Sequence, residues 1–408
     1  MWRYRLLLLL LFIPLAIYTL WQSIRVFEPR YFLQRLGLYF SPSINKNGIW
    51  IHAASVGEVN AVIPLLVKLH DNFPETPLTL STNTLTGSAV AKKQLPKTIQ
   101  YLYFPLDYRW SVKRIINKIK PKAVFIVETE LWPNLYKTLN KQNISLNIIN
   151  GRISEKTLHA KKWLKDIYAE ILPLVSHVYA RSETDKKRFL ALGLPENKVM
   201  MLGNIKFSAF DLGNIAPIKL ERKYVLAAST RDNEEQLIVD AWQKSVHNNY
   251  LLVIVPRHPH RLSEILSQLK SLDSNISVRS KNDKISSNTN IYIADTIGEL
   301  KQFILGSEFV LMGGSFVQKG GHNILEVAQL GKAVIFGPDM RNFLDEANIF
   351  IKYKAGIQCN LSELADYFNK LLSDRAYKKT IEDNAQNLIS ENNNIEKYYD
   401  ILVKSMAK

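Results

Sequence analysis

Glu58 is an acidic side chain whose surroundings suit proton transfer. It follows an apolar segment at residues 49–53, which is typical of a short buried strand, and it precedes an apolar helical pattern at 59–69. Ser55 stands three residues before it, which is the spacing of a helix capping box. The local spacing leaves two interpretations open. Glu58 closes the cap, or it acts as a general base that takes a proton from an attacking hydroxyl.

Two further carboxylates, Glu128 and Glu130, follow a near-continuous apolar segment at residues 123–127. Acidic groups after a buried strand are unusual, because burying a charge is costly unless it has a partner. They could position a sugar or hold Arg152, which follows the next predicted strand. We expect no metal and no cofactor here, because no histidine or cysteine cluster stands at metal-ligand spacing.

A basic loop with Arg257 and His258 follows the apolar segment at residues 251–255. Arginine offers a bidentate fork for a phosphate and histidine an additional donor, so the loop favours a phosphate over the alternative of a merely solvated surface. We expect no nucleic-acid partner, since no recognisable binding module accompanies these residues.

The stretch 313–338 places two glycine pairs, the first at Gly313 and Gly314, between an apolar strand and a helical pattern. Asn323 stands where an N-cap is expected, three residues before Glu326. A helix start exposes N–H groups and the positive end of the helix dipole, so it suits an anion. The alternative is that Glu326 only completes a capping box.

Strand and helix patterns alternate through both halves of this 408-residue chain, which predicts two doubly wound α/β domains. In open α/β sheets, ligands bind beyond the carboxyl ends of the strands, where these polar motifs fall. We therefore expect two domains whose loops face one central cleft. The predicted strands lie at residues 49–53, 77–82, 101–103, 123–127, 145–149, 178–180 and 199–202, and at 224–228, 251–255, 291–294, 309–312 and 333–336.

The net charge of +16 is concentrated in the first half of the chain. Residues 1–212 contain 29 Lys and Arg against 14 Asp and Glu, a net of +15, whereas residues 213–408 contain 24 against 23, a net of +1. A basic half indicates an anionic partner, and we favour a membrane surface and a phosphorylated substrate. The single cysteine, Cys359, excludes an internal disulfide framework and fits a reducing compartment.

The N-terminus carries an uncharged, leucine-rich run at residues 6–21, with Arg3 and Arg5 before it and Arg25 after it. A bilayer span needs about 20 apolar residues, so this run is short for one. No small-x-small cleavage site follows, which favours a retained membrane anchor over a secretory signal. Single-pass and monotopic insertion both stay open.

Taken together, these motifs resemble the 3-deoxy-D-manno-octulosonic acid (Kdo) transferases of lipopolysaccharide synthesis. The matching segments stand in family order along nearly the whole chain. They are HAASVGE at 52–58, ETELWPN at 128–134, NGRIS at 150–154, GNIKF at 203–207, PRHP at 256–259 and the glycine-rich stretch 313–338.

The resemblance implies a GT-B glycosyltransferase fold, an α/β architecture of two Rossmann-like domains with an N-terminal membrane anchor. The expected boundaries are an anchor at 1–24, an acceptor domain at 25–212, a linker at 213–222 and a nucleotide-sugar domain at 223–390. A C-terminal helix follows at 391–408, and whether it crosses back to the N-terminal domain stays open.

The resemblance also implies an inverting transfer of Kdo from CMP-Kdo to a lipid A precursor (lipid IVA) at the cytoplasmic face of the inner membrane. Glu58 would be the catalytic base. The implied nucleotide-sugar-binding residues are Arg257, His258, Gly313, Gly314, Ser315, Asn323 and Glu326. The implied acceptor or structural residues are Ser55, Gly57, Glu128, Glu130, Arg152 and Lys206.

Two other functions remain compatible with the sequence. The first is another GT-B glycosyltransferase that uses a UDP-sugar on a membrane lipid. The second is a non-catalytic, membrane-anchored protein that binds anions.

Overall fold

The computed structural model describes residues 2–41, 44–208, 215–245, 249–270 and 275–406. The chain folds into two compact units. Unit 1 comprises Met1–Ser208 with Asn392–Lys408, and unit 2 comprises Ala209–Glu391. The predicted boundary at 212 and the first two residues of the predicted linker lie outside the described residues, so that boundary stays a prediction.

Unit 1 contains a parallel sheet which, among its described residues, has seven strands in the order β3-β2-β1-β4-β5-β6-β7. The strands are β1 (Ile49–His52), β2 (Leu78–Thr82), β3 (Gln100–Tyr103), β4 (Ala123–Val127), β5 (Ser145–Gly151), β6 (His177–Ala180) and β7 (Val199–Met201). The helices are α1 (Trp2–Arg25), α2 (Pro29–Arg35), α3 (Val56–Asn72), α4 (Leu85–Gln94), α5 (Arg109–Ile119), α6 (Pro133–Lys141), α7 (Glu155–Leu158), α8 (Lys162–Ile171) and α9 (Glu183–Ala191). Each strand predicted in this half is present.

Unit 2 repeats this architecture, and the sheet within its described residues has the order β10-β11-β9-β8-β12-β13-β14. The strands are β8 (Lys223–Thr230), β9 (Tyr250–Pro256), β10 (Ile276–Val278), β11 (Ile291–Ile293), β12 (Val310–Met312), β13 (Val334–Phe336) and β14 (Ile357–Gln358). The helices are α10 (Glu234–Gln243), α11 (Leu262–Leu269), α12 (Leu300–Gly306), α13 (Leu325–Gln329), α14 (Leu344–Lys352), α15 (Leu364–Ser373) and α16 (Arg375–Glu391). The predicted strands are confirmed here, but β10 and β14 were not predicted from the sequence.

The central strands are covered by helices on both faces, which explains their continuous apolar sequences. All five residues of β4, Ala-Val-Phe-Ile-Val, are buried. Their side chains divide between two core clusters, with Val124 and Ile126 in one and Phe125 and Val127 in the other. A strand of this kind is typical of a parallel sheet with helices on both sides.

The last helix, α17 (Ile395–Met406), packs against α3 in unit 1. Its Tyr398 is fully buried, and the hydroxyl donates to the carbonyl oxygen of Gly203 at 2.7 Å. Tyr398 and Leu402 both belong to the core cluster that lies over α3. The C-terminal segment therefore contributes core side chains to unit 1.

We expect Tyr398→Phe to lower the free energy of unfolding by about 1 kcal/mol, because it removes the hydrogen bond from the buried Tyr398 side chain to the Gly203 carbonyl oxygen. Urea denaturation followed by circular dichroism measures the change. Tyr399→Phe is the matched control on the same helix, because Tyr399 is only partly buried. Equal effects of the two substitutions would contradict a specific role for the Tyr398 hydroxyl.

Candidate active site

Four of the predicted acidic and basic residues line one cavity in unit 1, at the carboxyl ends of the strands. The cavity has a volume of about 450 Å³, and its walls include Glu58, Glu128, Glu130 and Arg152. Glu58 follows β1, Glu128 and Glu130 follow β4, and Arg152 follows β5. The sheet topology therefore brings together side chains that are 94 positions apart at most in the sequence.

Glu58 takes part in a helix cap and also lines the cavity. Ser55 is the N-cap of α3 and accepts from the backbone N–H of Glu58. In return, the Glu58 carboxylate accepts from the backbone N–H of Ala54 at 2.8 Å and from the Ser55 hydroxyl at 2.8 Å. The two interpretations of Glu58 are therefore compatible, because a cap can orient a carboxylate that still faces the cavity.

Burial raises the pKa of the Glu58 carboxyl to about 7, and the negative charges of Glu128 and Glu130 add to the rise. The two hydrogen bonds to the carboxylate act in the opposite direction. A carboxyl with a pKa near neutrality is a stronger proton acceptor than an ordinary glutamate, and this is the usual tuning of a general base.

Glu128 lies in the left-handed region of backbone space, at φ +59°. This conformation is uncommon for a non-glycine residue and carries a conformational cost. Its carboxylate makes an ion pair with the Lys206 ammonium at 2.9 Å. Glu128 is therefore paired with Lys206, and not with Arg152 as the sequence allowed. The Arg152 side chain is exposed, and its backbone N–H donates to Thr129 Oγ1.

Glu130, which also lines the cavity, accepts hydrogen bonds from three side chains. Its Oε2 lies 2.9 Å from His52 Nε2, 2.8 Å from Asn83 Nδ2 and 3.0 Å from Trp132 Nε1. Burial by itself would raise the pKa of this carboxyl, but these hydrogen bonds, with His52 first, bring the pKa below its ordinary value. Glu130 therefore stays ionised beside Glu58.

A buried chain of hydrogen bonds orients His52. The Trp50 Nε1–H donates to Ser81 Oγ at 2.8 Å, and Ser81 Oγ lies 3.0 Å from His52 Nδ1. The same Nδ1 lies 3.1 Å from the Ser81 backbone carbonyl oxygen, and the other ring nitrogen, Nε2, lies 2.9 Å from Glu130 Oε2. Contacts at both ring nitrogens therefore fix the orientation of the imidazole beside Glu130.

Gly57 leaves open space at the start of α3. A Cβ built on it would meet only Ser55 Oγ, at 3.9 Å. Packing within the protein therefore does not require glycine here, although glycine in a helix is unfavourable by about 1 kcal/mol relative to alanine. The missing side chain keeps the first turn of α3 accessible, beside Glu58.

The glycine turn of unit 2 does not present free amides, contrary to the expectation from the sequence. The Gly314 N–H donates to Glu234 Oε2 at 2.6 Å, and the Gly313 N–H donates to the Ala228 carbonyl oxygen at 2.8 Å. Ser315 is also used internally, since its hydroxyl donates to Met312 O and accepts from the Gly337 N–H. The two glycine amides and the Ser315 hydroxyl are thus hydrogen-bonded within the protein, and the assignment of these three residues to the nucleotide sugar stays a prediction.

The predicted capping box at Asn323 does not form either. Helix α13 begins at Leu325 and is five residues long, and its N-cap is Ile324. Asn323 Oδ1 accepts from the Leu325 N–H at 3.1 Å. So short a helix has a small dipole. Glu326 does not take part in a capping box here. Burial raises the pKa of Glu326, while the charges of Lys301 and Arg257 oppose the rise.

Cationic and imidazole side chains surround the glycine turn. Arg257 is exposed, and His258 accepts a hydrogen bond at Nε2 from Arg231 Nη1. Burial, followed by the charges of Arg257 and Arg231, lowers the pKa of His322 to about 4. Burial and the same arginines lower the pKa of His258.

Arg231, Glu234 and His322 were not predicted from the sequence. Arg231 and Glu234 directly follow the end of β8, and His322 lies inside the predicted glycine-rich stretch. The rule that ligands bind beyond strand carboxyl ends was the available signal for the first two. Among the described residues, no group of three or more His, Cys, Asp and Glu side chains is arranged to hold a metal ion.

Comparison with known proteins identifies the family. Residues 30–209 match the family described as 3-deoxy-D-manno-octulosonic-acid transferase (kdotransferase). A 3-deoxy-D-manno-octulosonic acid transferase of Haemophilus influenzae is 33% identical over 374 residues, which cover 88% of each chain. The chain belongs to the 3-deoxy-D-manno-octulosonic acid transferase family. The resemblance stated from the motifs is thus confirmed, and the chain is a glycosyltransferase of lipopolysaccharide synthesis.

A longer relative shows that this family also occurs within larger proteins. A bifunctional glycosyltransferase/methyltransferase of Fusobacterium nucleatum is 34% identical over 376 residues. The match covers 88% of this chain, which spans 57% of the length of that relative.

A solved structure shows the fold. A glycosyltransferase from Rickettsia africae superposes with a TM-score of 0.59 at 16% identity, and the match covers 88% of this Kdo transferase family member and 99% of that chain. The predicted GT-B fold is confirmed by this likeness together with the two parallel sheets.

We expect Glu128→Gln to lower the pKa of Glu58 below about 7, because it removes the negative charge that raises this pKa most. Side-chain carboxyl ¹³C chemical shifts, followed over pH, measure the change. Glu75→Gln is the control, since it removes a charge from an exposed glutamate elsewhere on unit 1. An unchanged Glu58 midpoint in the Glu128 variant would contradict electrostatic coupling between the two carboxylates.

Proposed function

We propose that this Kdo transferase family member moves Kdo from CMP-Kdo to a hydroxyl of a phosphorylated lipid A precursor, with inversion at the anomeric carbon. The observation that carries the proposal is the Glu58 carboxyl, whose pKa is about 7 in a polar cavity beside Glu128, Glu130 and Arg152. A direct displacement needs one base to accept the proton of the attacking hydroxyl. One tuned carboxylate is enough for that step.

The acceptor cavity is suited to a polar, anionic lipid headgroup. Arg152 is exposed at its edge and Lys206 lies beside Glu128, so cations accompany the base. The positive charge of the chain is concentrated in residues 1–212. Such a surface attracts an acceptor that bears phosphates and lies in an anionic membrane.

The leaving group of this reaction is CMP, and the second unit offers the groups that suit it. Arg257 would bind the phosphate, and His258 would add a neutral imidazole near it. Glu326 would hold a ribose hydroxyl, while Asn323 would shape the loop at the start of α13. A cationic site stabilises the phosphate as it departs, so a separate general acid is not needed in this scheme.

Helix α1 supplies the proposed membrane contact. It is long and apolar enough to cross a membrane by length and composition. One side of the helix is docked on unit 1. The Tyr4 hydroxyl donates to Asp107 Oδ2 at 2.7 Å, the Tyr108 hydroxyl donates to the Leu8 carbonyl oxygen at 2.7 Å, and the Phe12 ring meets Tyr108 edge-on.

The opposite side of α1 is an exposed apolar stripe at helical spacing. The stripe consists of Leu6, Leu10, Ile13, Ile17, Leu20 and Ile24, all of which are exposed. A helix that crossed the bilayer while docked in this way would carry Asp107, the N-terminal partner of α6, into the hydrocarbon layer. We therefore propose a monotopic arrangement in which the stripe enters the cytoplasmic leaflet of the inner membrane and unit 1 lies in the cytoplasm.

The nucleotide specificity tests the proposed donor. We expect CMP to raise the thermal unfolding midpoint of the full chain, because it binds the folded state alone, and UDP at the same concentration to have little effect. Incubation with CMP-Kdo and lipid IVA should give a product with added Kdo in mass spectrometry. Protection by UDP and not by CMP would assign the chain to transferases of UDP-sugars instead.

The same assay tests the base. We expect Glu58→Gln to reduce transfer by about a hundredfold or more while CMP still protects the protein, since general-base catalysis contributes about 10² to 10⁴ in rate. Transfer by the wild type should increase as pH rises through about 7, as Glu58 loses its proton. Glu75→Gln serves as the matched control with normal transfer. Full transfer by the Glu58 variant would exclude this residue as the base.

The topology of α1 can be tested with cysteine variants, because Cys359 is buried. Trp2→Cys and Lys404→Cys each place an exposed thiol, one at the start of α1 and one on the C-terminal helix of unit 1. We expect a membrane-impermeant maleimide to label both in inside-out vesicles and neither in right-side-out vesicles. Labelling of the two variants from opposite sides would show that α1 spans the bilayer.

A further inference from the structure

Arg231, His258 and His322 form a compact group around the Gly314 turn of unit 2. A Cβ built on Gly314 would lie 2.9 Å from His322 Cδ2 and 3.4 Å from Arg231 Cγ, and the residue has φ +70°. Arg231 Nη1 in turn donates to His258 Nε2. The absence of a side chain at Gly314 is therefore what lets Arg231 and His322 approach the turn, and the Arg231 guanidinium in turn contacts His258.

Two polar atoms in this group are buried without a hydrogen-bond partner in the described part of the chain. They are Arg231 Nε and His322 Nε2. Buried polar groups are nearly always hydrogen-bonded, and each one without a partner calls for an explanation such as a ligand. Both atoms belong to groups that an anion would satisfy.

The neighbouring carboxylates do not neutralise this group, because other donors occupy them. The Glu234 carboxylate accepts from the backbone N–H groups of Arg231, Gly314 and Phe316. The Asp232 carboxylate pairs with Arg261 Nε at 2.8 Å and lies 3.4 Å from Lys319 Nζ. Within the described residues, the Arg231 guanidinium therefore forms no ion pair of its own, and the one carboxylate whose pKa it lowers, Asp232, is already paired with Arg261 and Lys319.

The donor proposed above carries two negative groups, whereas Arg257 accounts for only one. A nucleoside monophosphate ester of an ulosonic acid has a phosphate and a carboxylate on the same anomeric carbon. The two groups are therefore a few bonds apart, and they require two cationic positions side by side. Thr230 pairs with Pro256 where β8 and β9 end, and the Arg257 N–H donates to the Thr230 carbonyl oxygen at 3.0 Å, so Arg231 and Arg257 follow neighbouring strand ends.

We propose that Arg231, together with His258 and His322, forms a carboxylate subsite that binds the acid group of the sugar donor, next to a phosphate position at Arg257. This inference rests on the proposed function, since it assumes a CMP-sugar acid as donor. The subsite would select sugar acids over neutral sugars, because a neutral donor leaves the buried Nε of Arg231 without a partner. That penalty is larger than the loss of one ordinary hydrogen bond.

The test compares two ligands that differ by the sugar acid. Isothermal titration calorimetry measures the binding of CMP and of CMP-Kdo to the full chain and to Arg231→Gln. We expect the variant to bind CMP-Kdo about 10- to 100-fold more weakly, as for loss of a charge-assisted hydrogen bond, and CMP within about twofold of the wild type. Arg257→Gln is the matched control and should weaken both ligands.

Each other outcome has a distinct meaning. Equal weakening of CMP and CMP-Kdo in the Arg231 variant would place Arg231 on the phosphate, and no change in either would remove it from the donor site. Both results overturn the carboxylate subsite and leave the proposed function standing. Failure of the wild type to bind CMP or CMP-Kdo would overturn the proposed function itself.

A second variant keeps the comparison decisive if Arg231→Gln lowers stability. The backbone N–H of Arg231, and not its side chain, holds Glu234, so we expect the thermal unfolding midpoint to change little. His322→Asn removes the other atom that lacks a partner and should show the same preference for weakening CMP-Kdo over CMP. Equal weakening of the two ligands by His322→Asn would contradict the subsite.

Discussion

The carboxylate of Glu130 is a partly buried negative charge, and the arrangement of the first unit's cavity depends on how that charge is held. An ionised carboxyl group is removed from water only where donors replace its hydration. His52, Asn83 and Trp132 supply those donors from three separate segments of the chain. Arg35 adds a fourth link, because its Nη1 donates to Asn83 Oδ1 at 2.8 Å. Satisfying one charge thus aligns the ends of β1, β2 and β4.

That alignment has an electrostatic consequence for Glu58. Glu128 and Glu130 are carried to the same wall of the cavity, and their charges add to the effect of burial on the Glu58 carboxyl. Glu130 therefore has two roles. It accepts hydrogen bonds from residues that follow different strands, and its charge helps to raise the pKa of Glu58.

The second unit uses a similar device at the same edge of its sheet. Glu234 is fully buried. Its carboxylate accepts from the N–H of Arg231, which follows β8, and from the N–H groups of Gly314 and Phe316, which follow β12. In this structure Glu234 therefore occupies the backbone N–H groups of the glycine turn that the sequence suggested for an anion. The proposed binding groups are instead side chains, and Arg231 and His322 can lie close to the turn because Gly314 has no Cβ.

Some features could not be predicted from the sequence because they depend on distant partners. Strands β10 and β14 are three and two residues long, and only pairing with β11 and β13 defines them. The predicted cap at Asn323 failed by one residue, since helix ends follow the packing around them as well as local spacing. Arg231 had only its position after a strand as a signal, and that signal is weak because an arginine after a strand is often only solvated.

The sequence by itself determined the two parallel sheets, the family motifs and the identity of Glu58, Glu128 and Glu130 as candidate site residues. These features could be predicted because apolar periodicity and the position of a residue after a strand depend only on neighbouring residues in the sequence. Only the tertiary structure decided what each group is bonded to: Lys206 beside Glu128, His52 beside Glu130, and Glu234 on the amides of the glycine turn. The physical reason is that hydrogen bonding and burial, which set charge and pKa, come from residues far apart in the chain.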